Sequence, residues 1–453
     1  MSPTACLSPR SGPAPAAVLV VALLLLTARL VAAEGFVGES RCANPTCHGA
    51  SLPASPGEDP HWRPWQSART QWLNFNVDRH SRAYRTLTNE DSKRIAGSMG
   101  IEATKSEKCL RCHAPDAPLA AGSKHQPRDG VSCEHCHGPA EAWLEPHKAR
   151  DWPQQRTQFV ARGLYDNNDF RLRAEKCASC HVEIDHEIVA GGHPPLQFEM
   201  VAYALVMKHW DDQDELSPGS FSVDPSLWAI GQLVGLRHAA QAVAHRAGGA
   251  NYQSLDSFSH FQEQNCYQCH HKLVDDALRQ TQGHVEMADA ALAALAPDAR
   301  GPLTAQWNAL RSAVPASAAG AEAQAKQLET LANQLAERLD AQRASQAQAK
   351  AMLCTLLKGG PTVGQLRKFS FARPERSNVL RVTEIGLPWW YTTGAREQIA
   401  LGFQALCGPA FGDARCAAAL PQLKTLVAAA NRADSDPAQF LAALQSIRSG
   451  LCG

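Results

Sequence analysis

The chain has 453 residues, with 44 Lys and Arg against 44 Asp and Glu, so its formal net charge is +0. Such balance excludes the general field of a nucleic-acid or anionic-membrane binder, and 44% hydrophobic with 19% charged residues excludes a disordered chain. The counts that stand out are 15 Cys and 18 His, which point to metal or cofactor chemistry.

At the N-terminus, Arg10 precedes an apolar run from Ala16 to Leu26, followed by Val31-Ala32-Ala33 and Glu34. A basic residue, about 7–15 apolar residues and small residues before a cut make a secretory signal peptide, here residues 1–33. An uncleaved anchor is the alternative. The run falls short of the ~20 residues of a spanning helix, and Arg29 interrupts it. The mature chain is therefore expected to be soluble in the periplasm or another exported, oxidising compartment, where unpaired thiols seldom persist. Cys6 leaves with the leader.

Next come four copies of Cys-x-x-Cys-His, at Cys109/Cys112/His113, Cys133/Cys136/His137, Cys177/Cys180/His181 and Cys266/Cys269/His270. This is the attachment signature of c-type haem. Two thiols at that spacing reach the two vinyl groups of one porphyrin, and the next residue aims its imidazole at the iron. Zinc or disulfide pairs are the bland reading, and four copies in one exported chain weigh against it. A looser site, Cys42-Ala-Asn-Pro-Thr-Cys47-His48, has four residues between its thiols. Asn44-Pro45 forms turns, so the longer loop can bulge and still reach both vinyls. The alternative there is a small disulfide loop beside an incidental His. The expectation is five covalent haems c, with His48, His113, His137, His181 and His270 as proximal iron ligands.

Four cysteines remain beyond these motifs, Cys354, Cys407, Cys416 and Cys452, and no His follows His284. Two disulfides are expected, with three connectivities open. The other histidines precede residue 285 and outnumber the Met in reach, so mostly bis-His iron of low potential is expected.

The stretch Asp129-Gly-Val-Ser-Cys-Glu-His-Cys-His-Gly-Pro-Ala-Glu-Ala-Trp-Leu-Glu-Pro-His147 resembles the third haem site of the cytochrome c-554 family of multihaem electron carriers. That site reads G-V-x-C-E-x-C-H-G-P with a further His ten residues past the proximal one, an interval that His137 and His147 keep. The segment His80-Ser-Arg-Ala-Tyr-Arg-Thr-Leu87 resembles the family's helix after the first haem. The resemblance implies that His147 ligates the first haem opposite His48, and His80 the third opposite His137. It also implies that the His113 haem is the one with an open position. It covers roughly residues 38–210. It departs in the longer first motif, an insertion from Ser51 to Arg69, a fifth motif and a haem-free tail. Asp185-His186-Glu-Ile-Val-Ala-Gly-Gly-His193-Pro-Pro195 resembles a segment of other five-haem relatives. His193 is favoured there as a distal ligand, with His186 second, since Gly-Gly lets backbone approach a porphyrin. Trp228 to His245 reads as a helix, and His238 or His245, two turns apart, supplies a further ligand. His209 and His260 are reserves.

The predicted fold is all-α and haem-organised. Residues 34–285 form a multihaem domain of short helices and loops around stacked haems, with helices following each motif. Residues 286–453 form a haem-free helical bundle with disulfides. Leu328, Leu331, Leu335 and Leu339 and then Met352, Leu353, Leu356 and Leu357 mark helical stripes, and Gly359-Gly360-Pro361 breaks them. Arg367 to Asn378 reads as loop, Leu387-Pro-Trp-Trp-Tyr391 as core, and Ala395 to Cys407 and Pro421 to Ala430 as helices.

Electron transfer is the leading function, with redox proteins as partners: other cytochromes, or quinol-linked or terminal oxidoreductases. Membrane association then comes only through a partner. The alternative is an oxidoreductase acting on a small nitrogen or sulfur species at an open iron, with Lys124, His125 and His135 as acid/base groups. No Cys-x-x-Cys-Lys motif occurs, which argues against the lysine-ligated nitrite reductases. A sensor or structural subunit is a third class that no residue supports.

Overall fold

The computed structural model describes residues 34–51, 64–74, 78–182, scattered positions from 184 to 204, 224–248, 279–314, 316–358, 393–412, 414–416, 418 and 437–453. The leader lies outside them, as does the fifth motif with Cys266, Cys269 and His270. So do His186, His209, His260 and the Arg367–Asn378, Leu387–Tyr391 and Pro421–Ala430 segments. The described chain is helical. It has no β-strand, and an isolated parallel bridge joins Phe36 to Leu119.

Among the helices Glu107–His113, Cys133–His137 and Phe170–His181, each carries a Cys-x-x-Cys-His at its C-terminal end. Helices were expected to follow the motifs, and the structure corrects this. The proximal His is the last helical residue, so its ring projects where the chain turns away. Gly138 makes that turn after His137 at φ 80, and a Cβ there would lie 1.9 Å from the Gly163 carbonyl oxygen. Asp169 starts the third of these helices by accepting the Leu172 N–H at 2.8 Å.

The apolar clusters around these motifs are small. One gathers Ala140, Trp143, Leu144, Phe159 and Leu164, and another Leu87, Ala96 and Ala103. The large core lies further along. Helix Pro225–Gly248 is buried on nearly all sides over its first three turns and packs against Phe170–His181, Arg279–Leu295, Ala318–Asp340 and Thr393–Phe411. Ala318–Asp340 shows why: Ala321, Ala325, Leu328, Ala332, Leu335 and Leu339 recur at three- and four-residue spacing and form its buried stripe. Gln346–Leu356 starts at a capping box between Ser345 and Gln348 and buries Met352, Leu353 and Leu356. A further helix, Pro437–Cys452, was not read from the sequence.

Helix Arg279–Leu295 runs through residue 285, where the sequence reading draws a domain boundary. One cluster of buried residues extends from Phe170, Ala174 and Ala178 on the fourth-motif helix to Leu451 near the C-terminus. Two disulfides select one of the three connectivities: Cys354–Cys452 and Cys407–Cys416. No described helix is long and apolar enough to cross a membrane.

Candidate haem sites

Four of the five expected attachment sites fall among the described residues: Cys42/Cys47, Cys109/Cys112, Cys133/Cys136 and Cys177/Cys180, none of them in a disulfide. The fifth pair, Cys266 and Cys269, and its His270 lie outside those residues, so that site rests on its motif alone.

In the first motif, Cys42 follows the 3-10 turn Glu39–Arg41. Asn44 then organises the four-residue insertion. Its side-chain oxygen accepts the Thr46 N–H at 2.9 Å and the Thr46 hydroxyl at 2.8 Å, and its carbonyl accepts from Cys47 and Gly49. This is the turn expected of Asn44-Pro45.

The third motif is anchored through Glu134, which is buried. Its carboxylate accepts backbone N–H groups from Val37 at 2.9 Å, Gly38 at 2.7 Å and Ala140 at 2.8 Å. Residues 35–38 are thereby pinned to the motif. Gly130, at φ 65, lets this segment reach the His80 segment, where Val131 donates to the His80 carbonyl at 3.1 Å. A Cβ at Gly130 would meet that carbonyl oxygen at 2.5 Å.

Three motif histidines each face a histidine from a distant segment. His48 and His147 have ring centres 6.2 Å apart with planes 12° from parallel. His113 and His193 are 6.4 Å apart, and His181 and His80 6.1 Å. These gaps fall at the wide end of ring packing. They equal the span of two imidazoles on one metal, with about 2 Å from each nitrogen to the ion and about 1 Å more to each ring centre. The donor set therefore fits axial ligation of an iron between each pair.

Two implications of the resemblance meet a different arrangement of rings. His80 faces His181 and not His137. His137 instead places Nδ1 3.2 Å from the Asn167 side-chain amide. The His113 side, expected to be open, is faced by His193.

Of the other candidates, His238 has its Nε2 2.8 Å from Glu175 Oε2, within a cluster that includes Arg237. That nitrogen is engaged by the carboxylate. His245, on the same helix, is exposed near its C-terminal end, so the two are not equivalent positions. Of the three expected acid/base groups, Lys124, His125 and His135, the last is also spoken for in part. His135 Nε2 lies 2.9 Å from the Pro115 carbonyl and its Nδ1 accepts the Ser132 N–H at 2.8 Å. Phe36 packs edge-on to both His135 and His125.

The thiols bring motifs together. Cys42 and Cys133 share a hydrogen bond, so the first motif lies beside the third. Cys112 and Cys180 do the same for the second and fourth, and that bond pulls the Cys180 thiol down to about 6. Burial pushes the His181 imidazole down to about 4, with His80 adding to the effect. Burial likewise lowers His113 and His147. All three rings are therefore neutral at physiological pH, as iron ligands must be. Burial also acts to lower His80, but Asp78 outweighs it and the net direction is up.

Asp78, Asn167 and Glu175 are missing from the sequence reading, and Glu134 enters it only as a letter of its motif. Asp78 has a local cue, an acid two residues before a candidate ligand. The others act across long separations that no spacing reveals.

Cys-x-x-Cys-His segments, with motif histidines facing remote ones across metal-sized gaps, fit the site of a c-type cytochrome. The comparison with known families agrees: the family described as cytochrome c554 and c-prime matches residues 62–138. That match supports a c-type cytochrome with covalently bound haem, working in electron transfer. No curated protein and no solved structure matches the chain.

Proposed function

We propose that this chain is an exported electron carrier holding five covalent haems c, mostly with bis-His iron. The observation that carries this reading is the set of three ring pairs at 6.1–6.4 Å, each joining a motif histidine to a remote one. Haem, once bound, supplies a one-electron couple at each site. The chain's own residues do the rest. The paired imidazoles would hold the iron between them and so leave no room there for a substrate. The Cys42–Cys133 and Cys112–Cys180 contacts support short hops between the first and third sites and between the second and fourth. The fifth haem, on Cys266 and Cys269 with His270 as proximal ligand, is proposed from its motif. The small apolar clusters around the motifs support a haem-organised fold, in which porphyrins supply much of the core. The helices beyond residue 286 form a haem-free bundle in this reading. Partners are other redox proteins, and export follows from the leader and the cysteine usage.

The oxidoreductase alternative needs an open iron. The His113–His193 pairing weighs against its preferred location. Pyridine haemochrome quantitation with electron paramagnetic resonance of the oxidised protein tests both readings. Five haems, all low-spin, are expected. A high-spin ferric signal that shifts with nitrite, hydroxylamine or cyanide overturns the carrier in favour of the enzyme. A count of four removes one attachment site, and mass spectrometry of haem-bearing peptides shows whether it is Cys42/Cys47 or Cys266/Cys269.

A further inference from the structure

The candidate ligands differ in what holds the nitrogen that does not face the iron. His113 Nδ1 lies 2.8 Å from the Ala83 carbonyl, and His147 Nδ1 2.5 Å from the Leu144 carbonyl. His137 Nδ1 meets the neutral amide of Asn167. His80 is different: its Nδ1 lies 2.9 Å from Asp78 Oδ1. Among these four, His80 alone meets a full negative charge.

Asp78 is held there by backbone. Its N–H donates to the Asn74 carbonyl at 2.8 Å, and its Oδ1 also accepts the His80 N–H at 2.8 Å. The residue is 4% exposed, so solvent screens its charge poorly. Lys176 is near enough to act on Cys136 together with Asp78, but its ammonium lies over the Tyr165 ring. Arg79 is exposed and is screened by solvent.

An Nδ1–H donated to a carboxylate makes the imidazole a stronger electron donor than one donated to a carbonyl or an amide. A stronger donor and a nearby buried negative charge both favour ferric over ferrous iron. The two effects have the same sign, and each lowers the potential.

We propose that Asp78 is a positioning residue that holds His80 through its outer nitrogen and lowers the potential of the His80/His181 haem. This rests on His80 being an iron ligand, the reading given above.

The test is spectropotentiometry of the full haem-loaded chain and its Asp78→Asn variant. Asn keeps the shape, and its Oδ1 still accepts the His80 N–H, while the charge is lost. One Nernst component is expected to rise, with its ferric-to-ferrous equilibrium changing about tenfold, or about 59 mV for one electron. The other components stay near their places, and haem count and low-spin signals are unchanged. Asp78→Glu, which restores the charge, is expected to return that component most of the way. If Asp78→Asn fails to load haem, Asp78→Ser removes the charge while keeping an acceptor for the N–H two residues on.

His80→Met identifies the component. Met ligation raises the potential of a c-type haem, so the same component is expected to move. If His80→Met changes no potential and no resonance signal, His80 is not a ligand and the ligation reading falls. If His80→Met moves one component and the charge-removing Asp78 variant moves none, ligation stands and the role of Asp78 is overturned. Equal movement of every component also overturns it, because that is a general effect of charge or stability.

Discussion

The two ends of this molecule solve the problem of a core differently. Between residues 34 and 182, the buried apolar clusters outside the fourth-motif helix hold five and three residues. From Leu227 to Leu451, a single cluster threads through seven helices. The first region has polar anchors instead: Glu134 with three backbone N–H groups, Glu141 with the Gly35 N–H at 2.8 Å, and Asn44 within its turn. A few hydrogen bonds of about 1 kcal/mol each do not offset the entropy of ordering a chain of this length. On the proposed reading the motif region depends on its cofactors for stability, whereas the helices beyond it are held by apolar burial and disulfides.

The largest expected effect follows directly. When the protein is made without haem attachment, residues 34–182 are expected to be degraded rapidly, while the helices from 225 onward keep their protection. Limited proteolysis with mass spectrometry of the fragments checks this. A protease-resistant motif region in the haem-free chain breaks the comparison.

The disulfides test the other region. Cys354–Cys452 closes a separation of 98 residues and Cys407–Cys416 one of 9. On the chain-entropy account, removing the first by paired Cys→Ser exchange is expected to cost about 4–5 kcal/mol, and removing the second about 2–3 kcal/mol. Denaturant midpoints followed by far-ultraviolet circular dichroism give the numbers. The Soret band is expected to stay unchanged at denaturant concentrations below the transition.

A pH effect of about 3 kcal/mol at most is expected from His284, which sits against Gly235 inside the core. Burial, with a smaller contribution from His238, pushes its imidazole down to about 4. An unfolded His titrates near 6.5, so between about 6.5 and 4 the unfolded chain binds the extra proton. Stability is therefore full above about 6.5 and falls as pH drops toward 4. Urea midpoints across that range, with His284→Gln as the control that flattens the slope, decide the matter. A slope that survives in the variant assigns the effect elsewhere.

These contrasts bear on what was legible in the sequence. The four Cys-x-x-Cys-His motifs stand out because two thiols and an imidazole recur within five residues of chain. The stripe from Leu328 to Leu339 was readable because helical period is local, and the described helix carries it. The partner of His80 was not, because its pairing with His181 depends on how segments a hundred residues apart pass each other. The boundary at 285 was drawn where histidines stop, but ligand composition does not report on packing. Arg279–Leu295 continues through that point because its buried face, including Val285, Met287, Ala288 and Leu292, meets the same core on both sides. Glu134 was visible as part of a motif, yet its hold on Val37 and Gly38 spans nearly a hundred residues and leaves no mark in spacing.

The smallest effect asks whether the two regions unfold separately. Helix Phe170–His181 carries the fourth motif, yet its Phe170, Ala174 and Ala178 belong to the large core. Asp169 caps this helix and Ser345 caps Gln346–Leu356, each through a side-chain oxygen on a backbone N–H. Replacing either by Ala is expected to cost about 1 kcal/mol. If the shared core makes the fourth motif part of the helical region, both variants shift the same transition by similar amounts. That transition is then seen alike by circular dichroism and by the haem absorbance. If Asp169→Ala shifts only the haem-detected transition while Ser345→Ala shifts only the helical one, the core does not couple the regions. The contrast between cofactor-held and burial-held structure would then coincide with a cooperative boundary after His181.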